Sequence, residues 1–112
     1  MLAGMITFED FEKIDIRVGT VLAVSPLIKA KKPALVLQID FGPLGILKSS
    51  AQIADLYSIS DMIGRQVIAV VNFPPKQIAG IMSQCLVLGV KTVQGVVIMI
   101  PEKSVENGLR LC

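Results

Sequence analysis

Lysine, asparagine, glutamine and serine carry the chemistry this chain has to offer, and they fall in three short stretches. Lys29, Lys31 and Lys32 crowd one segment. Lys48, Ser49, Ser50 and Gln52 follow a Gly-Pro turn, and Asn72, Lys76, Gln77, Ser83 and Gln84 bracket the pair Pro74-Pro75. Ammonium groups meet phosphates, while amides and hydroxyls reach base edges or 2′-hydroxyls, so the set suits recognition of a polyanion with some orientation. A covalent reading would draw Ser83 or Ser49 beside Lys76 or Lys48 as a serine–lysine pair. No oxyanion-hole motif accompanies such a pair, and the sequence contains no histidine, the commonest general base and metal ligand. Carboxylates stand singly at Asp15, Asp40, Asp55 and Asp61. The residues predict binding without catalysis, without a metal and without a cofactor.

Each stretch also has a plainer reading. A lysine cluster is usually a solvated loop. Lys48-Ser49-Ser50 can end a strand and cap a helix, and Asn72 at a strand end can satisfy loop backbone groups. What favours binding is that all three stretches are predicted on one side of one fold.

The elements that must position them read as mostly β. Thr7 caps a short helix with Asp10 three residues on, and Phe8 and Phe11 share its face, set against a barrel end or a partner chain. Strand one is predicted over 14–24, with Ile14, Ile16, Val18, Leu22 and Val24 on one side and a bend or bulge at Gly19. Strand two, 35–41, alternates: Leu35, Leu37, Ile39 and Phe41 inward, Val36, Gln38 and Asp40 outward. Strand three follows at 46–49. Between Ser50 and Met62 the period becomes helical through Ile53, Leu56 and Tyr57, with Ser50 as cap and Gly64 as stop. Strand four spans 66–73. The two prolines then hold a stiff loop, because neither can donate to a ladder. Strand five is predicted at 84–88 and a further strand at 96–100. Asn107-Gly108 is a turn before a short terminal segment, 109–111. Five strands with a helix between the third and fourth is the order of an OB-fold barrel, here with an N-terminal helix and a C-terminal strand extension.

At 112 residues the chain (1–112) reads as a single domain, and its formal charge of +2 is far from that of a non-specific DNA binder. A local basic patch remains compatible with that total. Hydrophobic residues make up 53% of the sequence with few aromatics. So small a domain leaves much of its surface exposed, and this apolar surplus predicts an interface between two copies of the chain, a homodimer, the alternative being a very β-rich monomer with an efficient core. Cys85, in an apolar strand, reads as a buried hydrophobe, and Cys112 is the last residue. No CxxC or zinc spacing is present, which fits a reducing cytoplasm. No apolar run reaches the length of a membrane span, and the mildly apolar start, Met1 to Met5, has no basic flank to make it a signal peptide.

Three motifs, DIRVG (15–19), KSSAQI (48–53) and NFPPKQIAGIMSQCLVLG (72–89), closely resemble the small dimeric tRNA-binding proteins of the CsaA type, and the likeness runs from about Phe8 to about Leu111. That family is described as tRNA-binding and as an export-related chaperone. The resemblance implies a tRNA surface that includes Asn72, Lys76 and Ser83, with Ser50 and Gln52 in the Ser-Ala-Gln motif. It also implies an alternative role, holding unfolded or export-precursor polypeptides on apolar pockets of the dimer, around Ile78, Ile81 and Met82. Lys76 stands where many relatives have Arg, which keeps the charge but loses the bidentate fork. Cys85 and Leu86 replace a common Gly-Met pair. With no synthetase domain, the chain is expected to bind tRNA without charging it. The binding set is thus Lys29, Lys31, Lys48, Ser50, Gln52, Asn72, Lys76, Gln77, Ser83 and Gln84.

Overall fold

In chain order, the computed structural model contains α1 (Phe8–Glu12), β1 (Ile16–Pro26), β2 (Leu35–Asp40), β3 (Ile46–Ala51), α2 (Ile59–Met62), β4 (Gln66–Val70), β5 (Lys76–Ile78), β6 (Ile81–Ser83), β7 (Leu86–Val87), β8 (Gly89–Lys91) and β9 (Val96–Ile98). It describes residues 4–112, so most of the apolar start lies outside the described residues. Five strands form one antiparallel sheet in the order β3-β2-β1-β4-β7, curled into a nearly closed barrel of OB type.

The curl originates in β1, which serves two neighbours in turn. Residues 16–20 pair with β4, and residues 20–26 pair with β2, with a bulge between Val21 and Ala23. Gly19 sits at this corner. A Cβ there would fall 2.6 Å from Ile39 Cγ2 and 2.8 Å from the Phe41 ring, so the strand can approach the core only without a side chain. The bend expected at Gly19 is present, but the face predicted as one side holds only in part: Val18 is buried and Val24 packs against the core, while Ile14 is exposed. Val21 joins the barrel core, whereas Val18 lies outside that cluster and Leu22 is exposed. Alternation fails as a guide here because the glycine takes an inward position and the bulge shifts the register after it.

The core collects Val21, Leu35, Leu37, Ile39, Phe41, Ile53, Met62 and Val67, with Phe41 fully enclosed as the alternation of β2 requires. Val36, expected outward, is also buried. With Leu27 and Ala34 it forms a second, smaller apolar cluster against Ala30, Ile78, Ala79 and Ile81. Both faces of β2 are therefore covered at that end, and the alternation rule describes only one of them.

The helical segment shrinks. Ser50 lies inside β3, paired with Val36, and caps nothing. The true cap is Ser58: its Oγ accepts from the Asp61 amide while the Asp61 carboxylate accepts from the Ser58 amide, a capping box on α2. Ile53, Leu56 and Tyr57 recur at helical spacing because residues 53–57 form one hydrogen-bonded turn, with the Tyr57 amide donating to the Ile53 carbonyl at 3.2 Å. Gly64 ends α2 at φ +82° as expected.

The stretch after the prolines also differs. β4 stops at Val70, and the expected loop contains a hairpin, β5 against β6, turning through Ala79-Gly80 at φ +49° and +86°. Two left-handed residues suit the strand twist, but Ala-Gly lacks the usual Asn-Gly signature, which hid the turn. The N-terminal helix is capped as read from the sequence, Thr7 Oγ1 accepting from the Asp10 amide at 3.2 Å.

Replacing Gly19 by alanine forces a methyl into Ile39 and Phe41. We expect Gly19→Ala to cost about 1–3 kcal/mol, read as a lower urea midpoint at unchanged m; an unchanged midpoint would mean that the β1 corner is not close-packed.

Candidate nucleic-acid interface

The barrel closes between β3 and the segment that follows β6, and it closes largely through side chains. The Gln84 amide donates to the Lys48 carbonyl at 2.8 Å, and the Lys48 amide donates to Gln84 Oε1 at 2.9 Å. One step on, the Ser50 amide donates to Ser83 Oγ at 3.0 Å, and buried Ser49 Oγ donates to the Cys85 carbonyl at 3.0 Å. Three side chains whose polarity marked them as binders or as half of a serine–lysine pair, Ser49, Ser83 and Gln84, thus stitch the sheet shut. Ser83 Oγ, its remaining contact the Cys85 carbonyl at 3.5 Å, faces Lys76 across the hairpin without bonding to it. Burial pushes the Cys85 thiol up to about 11, which makes it a poor nucleophile at neutral pH.

The stitch holds the β5–β6 hairpin upright, and the small apolar cluster under Val36 braces it from the other side. Lys29, Lys31, Lys32 and Gln52 line a hollow that ends on Ile78 and Ala79 at the hairpin tip. Ser50 and Gln52 line a second hollow with Ile78 and Leu86. Ser50, Lys76, Ser83 and Gln84 line a third with Phe73, Pro74 and Pro75. Shared walls make these a continuous concave track. Lys29, Lys31, Ser50, Gln52, Lys76, Ser83 and Gln84 are brought together along it. Gln77 is exposed on the hairpin opposite Met82, and Lys48 is exposed beside the stitch. Among the described residues the ion pairs involve Lys13, Arg17 and Arg110 only, so the lysines at 29, 31, 32, 48 and 76 carry no carboxylate partner.

Asn72 stands apart. Its Oδ1 accepts from the Asp15 amide at 2.9 Å, and its Nδ2 donates to the Lys13 carbonyl at 2.7 Å. Both polar ends are engaged, so Asn72 pins the loop 71–75 to the end of α1. Beside it sits a cluster not read as functional from the sequence. Arg17 forks onto Asp15 with Nε at 2.6 Å and reaches the Gly108 carbonyl at 2.9 Å, while Arg110 Nη2 donates to the Glu12 carbonyl at 2.6 Å. The cluster joins α1, β1 and the C-terminal segment, and Arg17 holds the Asp15 carboxyl below its ordinary value. Phe73, half exposed at one end of the track, also escaped notice. The signal available was an aromatic next to a proline pair.

A track of unpaired lysines with amides and hydroxyls, carried on the face of an OB barrel, defines a class of nucleic-acid-binding module. The family model for a tRNA binding domain matches residues 16–110, and the chain belongs to that family. Among solved structures it is similar to the chaperone CsaA of Bacillus anthracis, at 46% identity and a TM-score of 0.91, covering 97% of this chain and 100% of that one. It is similar also to the CsaA chaperone protein of Picrophilus torridus, at 49% identity and TM-score 0.91, over 96% and 100%. The methionine–tRNA ligase of Methanococcoides burtonii is 34% identical over 105 residues, 93% of this chain but 15% of the ligase. The chain thus spans a small part of the ligases it matches. No helix among the described residues is long and apolar enough to cross a membrane.

Two outcomes follow from the pinning contacts. Because the folded-state pKa of Asp15 is depressed, its contribution is complete above the ordinary value of 3.8 and is lost as pH falls through the lowered one. Asp15→Ala should therefore be less stable than the native chain by about 1.5–3 kcal/mol near pH 6, and denaturant melts should show that gap closing under acid conditions. Asn72→Ala removes two solvent-accessible hydrogen bonds and should cost about 0.5–1.5 kcal/mol; amide exchange should speed up at Lys13–Asp15 and Asn72–Phe73, and unchanged exchange would refute the pin.

Proposed function

We propose that this protein is a non-catalytic, homodimeric tRNA-binding module of the cytoplasm. It meets structured RNA along the track from Lys29 and Lys31 through Gln52 and Ser50 to Lys76 and Gln77. The observation that carries the reading is the unpaired state of these lysines on one concave side of a barrel whose family binds tRNA. Unpaired ammonium groups release condensed counterions on meeting phosphates, and that release drives association. Lys48 adds charge beside the stitch, and Asn72, Ser83 and Gln84 act by holding the loop and hairpin in register. Aromatics are few, so shape and backbone recognition predominate over base-by-base stacking.

The reading calls for a second copy of the chain. Val90, Val97 and Ile100, all exposed, run along or just past the β8–β9 ribbon and offer an apolar face for that copy to cover. Two linked patches raise avidity without any new contact.

The second reading is a chaperone role, as the names of the two CsaA structures state for those proteins. The half-exposed side chains of Met82, Leu86 and Phe73 favour it, since flexible and apolar groups adapt to varied segments. Ile78 and Ile81, by contrast, pack under the hairpin into the small cluster.

Lys76→Glu tests the first reading. It should weaken tRNA binding at least tenfold in a fluorescence-anisotropy titration and lower the salt slope, with the unfolding midpoint unchanged because Lys76 is exposed and unpaired. Native-like tRNA affinity in this variant would remove Lys76 from the interface.

A further inference from the structure

The hollow at the far end of the track is the one of the three that carries an aromatic side chain together with a lysine. It encloses about 470 Å³ between the Phe73-Pro74-Pro75 loop and Leu86, with Lys76 among its lining residues and Ser50, Ser83 and Gln84 as its neutral polar groups. Its walls are mainly apolar, in the size range of sites that take a compact ligand group. Phe73 is 54% exposed and Leu86 48%, so neither is committed to the core. The backbone at Phe73 is also held in place. It follows Asn72, whose side chain is clamped at both ends, and precedes two prolines that fix the backbone. Gln84 is oriented in the same way: its Oε1 is taken by the Lys48 amide, and its Nε2 has no protein partner among the described residues.

An exposed aromatic on a restrained backbone, an amide donor and an unpaired lysine around one concavity match the parts of a nucleotide: a π-face, acceptors on the base edge and a phosphate. We propose that this hollow seats a single unstacked nucleobase of the bound RNA, with the base against Phe73, its edge toward Gln84 and the adjoining phosphate on Lys76. The inference rests on the tRNA reading above and deepens it, adding one base-stacking anchor to an interface otherwise made of backbone contacts. Preorganisation matters here because the backbone that carries Phe73 is already fixed when the base arrives, leaving only the ring to be ordered. Stacking of this kind tolerates any base, so the anchor selects for an unpaired nucleotide and not for a sequence.

The experiment exploits the absence of tryptophan from the sequence. Phe73→Trp places a unique fluorophore at the proposed stacking face, and unfractionated tRNA is titrated while anisotropy of labelled tRNA is followed in parallel. The proposal expects quenching of the tryptophan with the same midpoint as the anisotropy change. It expects Phe73→Ala to lose about five- to 150-fold in affinity at an unchanged salt slope, since stacking and not a phosphate contact has been removed. If tRNA binds by anisotropy while the tryptophan is unmoved and Phe73→Ala binds within twofold of the native chain, the pocket assignment is overturned and the tRNA reading stands. If an apolar peptide quenches the tryptophan and tRNA does not, the hollow is a peptide site and the proposal fails. No anisotropy change with the native chain overturns the tRNA reading and this inference with it.

Discussion

The closure of the barrel between β3 and residues 83–85 is the constraint on which the rest of the molecule depends. The sheet order leaves β3 at one edge and β7, only two residues long, at the other. A short strand cannot supply a full ladder, so Ser83, Gln84 and Ser49 substitute side-chain hydrogen bonds for missing backbone ones. Buried polar groups of this kind are satisfied in pairs, and no buried side-chain nitrogen or oxygen among the described residues is left without a partner. The stitch joins the two sheet edges and, in the same few residues, fixes the hairpin that carries Lys76 and Gln77. Fold and interface therefore share their hydrogen bonds.

That sharing explains the division of labour along the track. Charge is supplied by lysines free of carboxylates, while the amides and hydroxyls that resemble base readers in sequence are largely engaged within the protein. Asn72, Ser83 and one end of Gln84 hold geometry. The remaining surface is suited to the shape of an RNA backbone, with the Phe73 hollow as its aromatic feature. The Asp15–Arg17–Arg110 cluster does for the opposite end what the stitch does here, tying the helix, β1 and the C-terminal segment into one unit. A partly buried bidentate pair with further backbone bonds is better placed to hold geometry than an isolated surface ion pair.

Much of this was legible in the sequence, and the failures have local causes. Alternation in β2 placed Leu37, Ile39 and Phe41 in the core, and the Thr7–Asp10 spacing located the first helix. The order of five strands with an intervening helix indicated the barrel. Alternation misled on Val36, because a second cluster covers the far face of β2, and on Leu22, because a glycine corner and a bulge reset the register. Ser50 read as a cap because its neighbours are polar, yet the capping box lies eight residues on at Ser58 and Asp61. The hairpin was invisible because Ala79 adopts a left-handed conformation that its residue type gives no reason to expect. Long-range partners are beyond any local pattern: nothing in the spacing links Asn72 to Lys13 and Asp15, or Ser49 to Cys85. The candidate residues could be named from their types, but which of them hold the fold and which face outward depended on contacts distant in sequence.

The most direct measurement is a titration of labelled tRNA with the native protein at several salt concentrations, with duplex DNA as competitor. The account predicts saturable binding that weakens linearly on a log–log salt plot, with a slope of a few phosphate contacts, and that resists the duplex. Binding absent even at low salt, or displaced equally well by DNA, would contradict it.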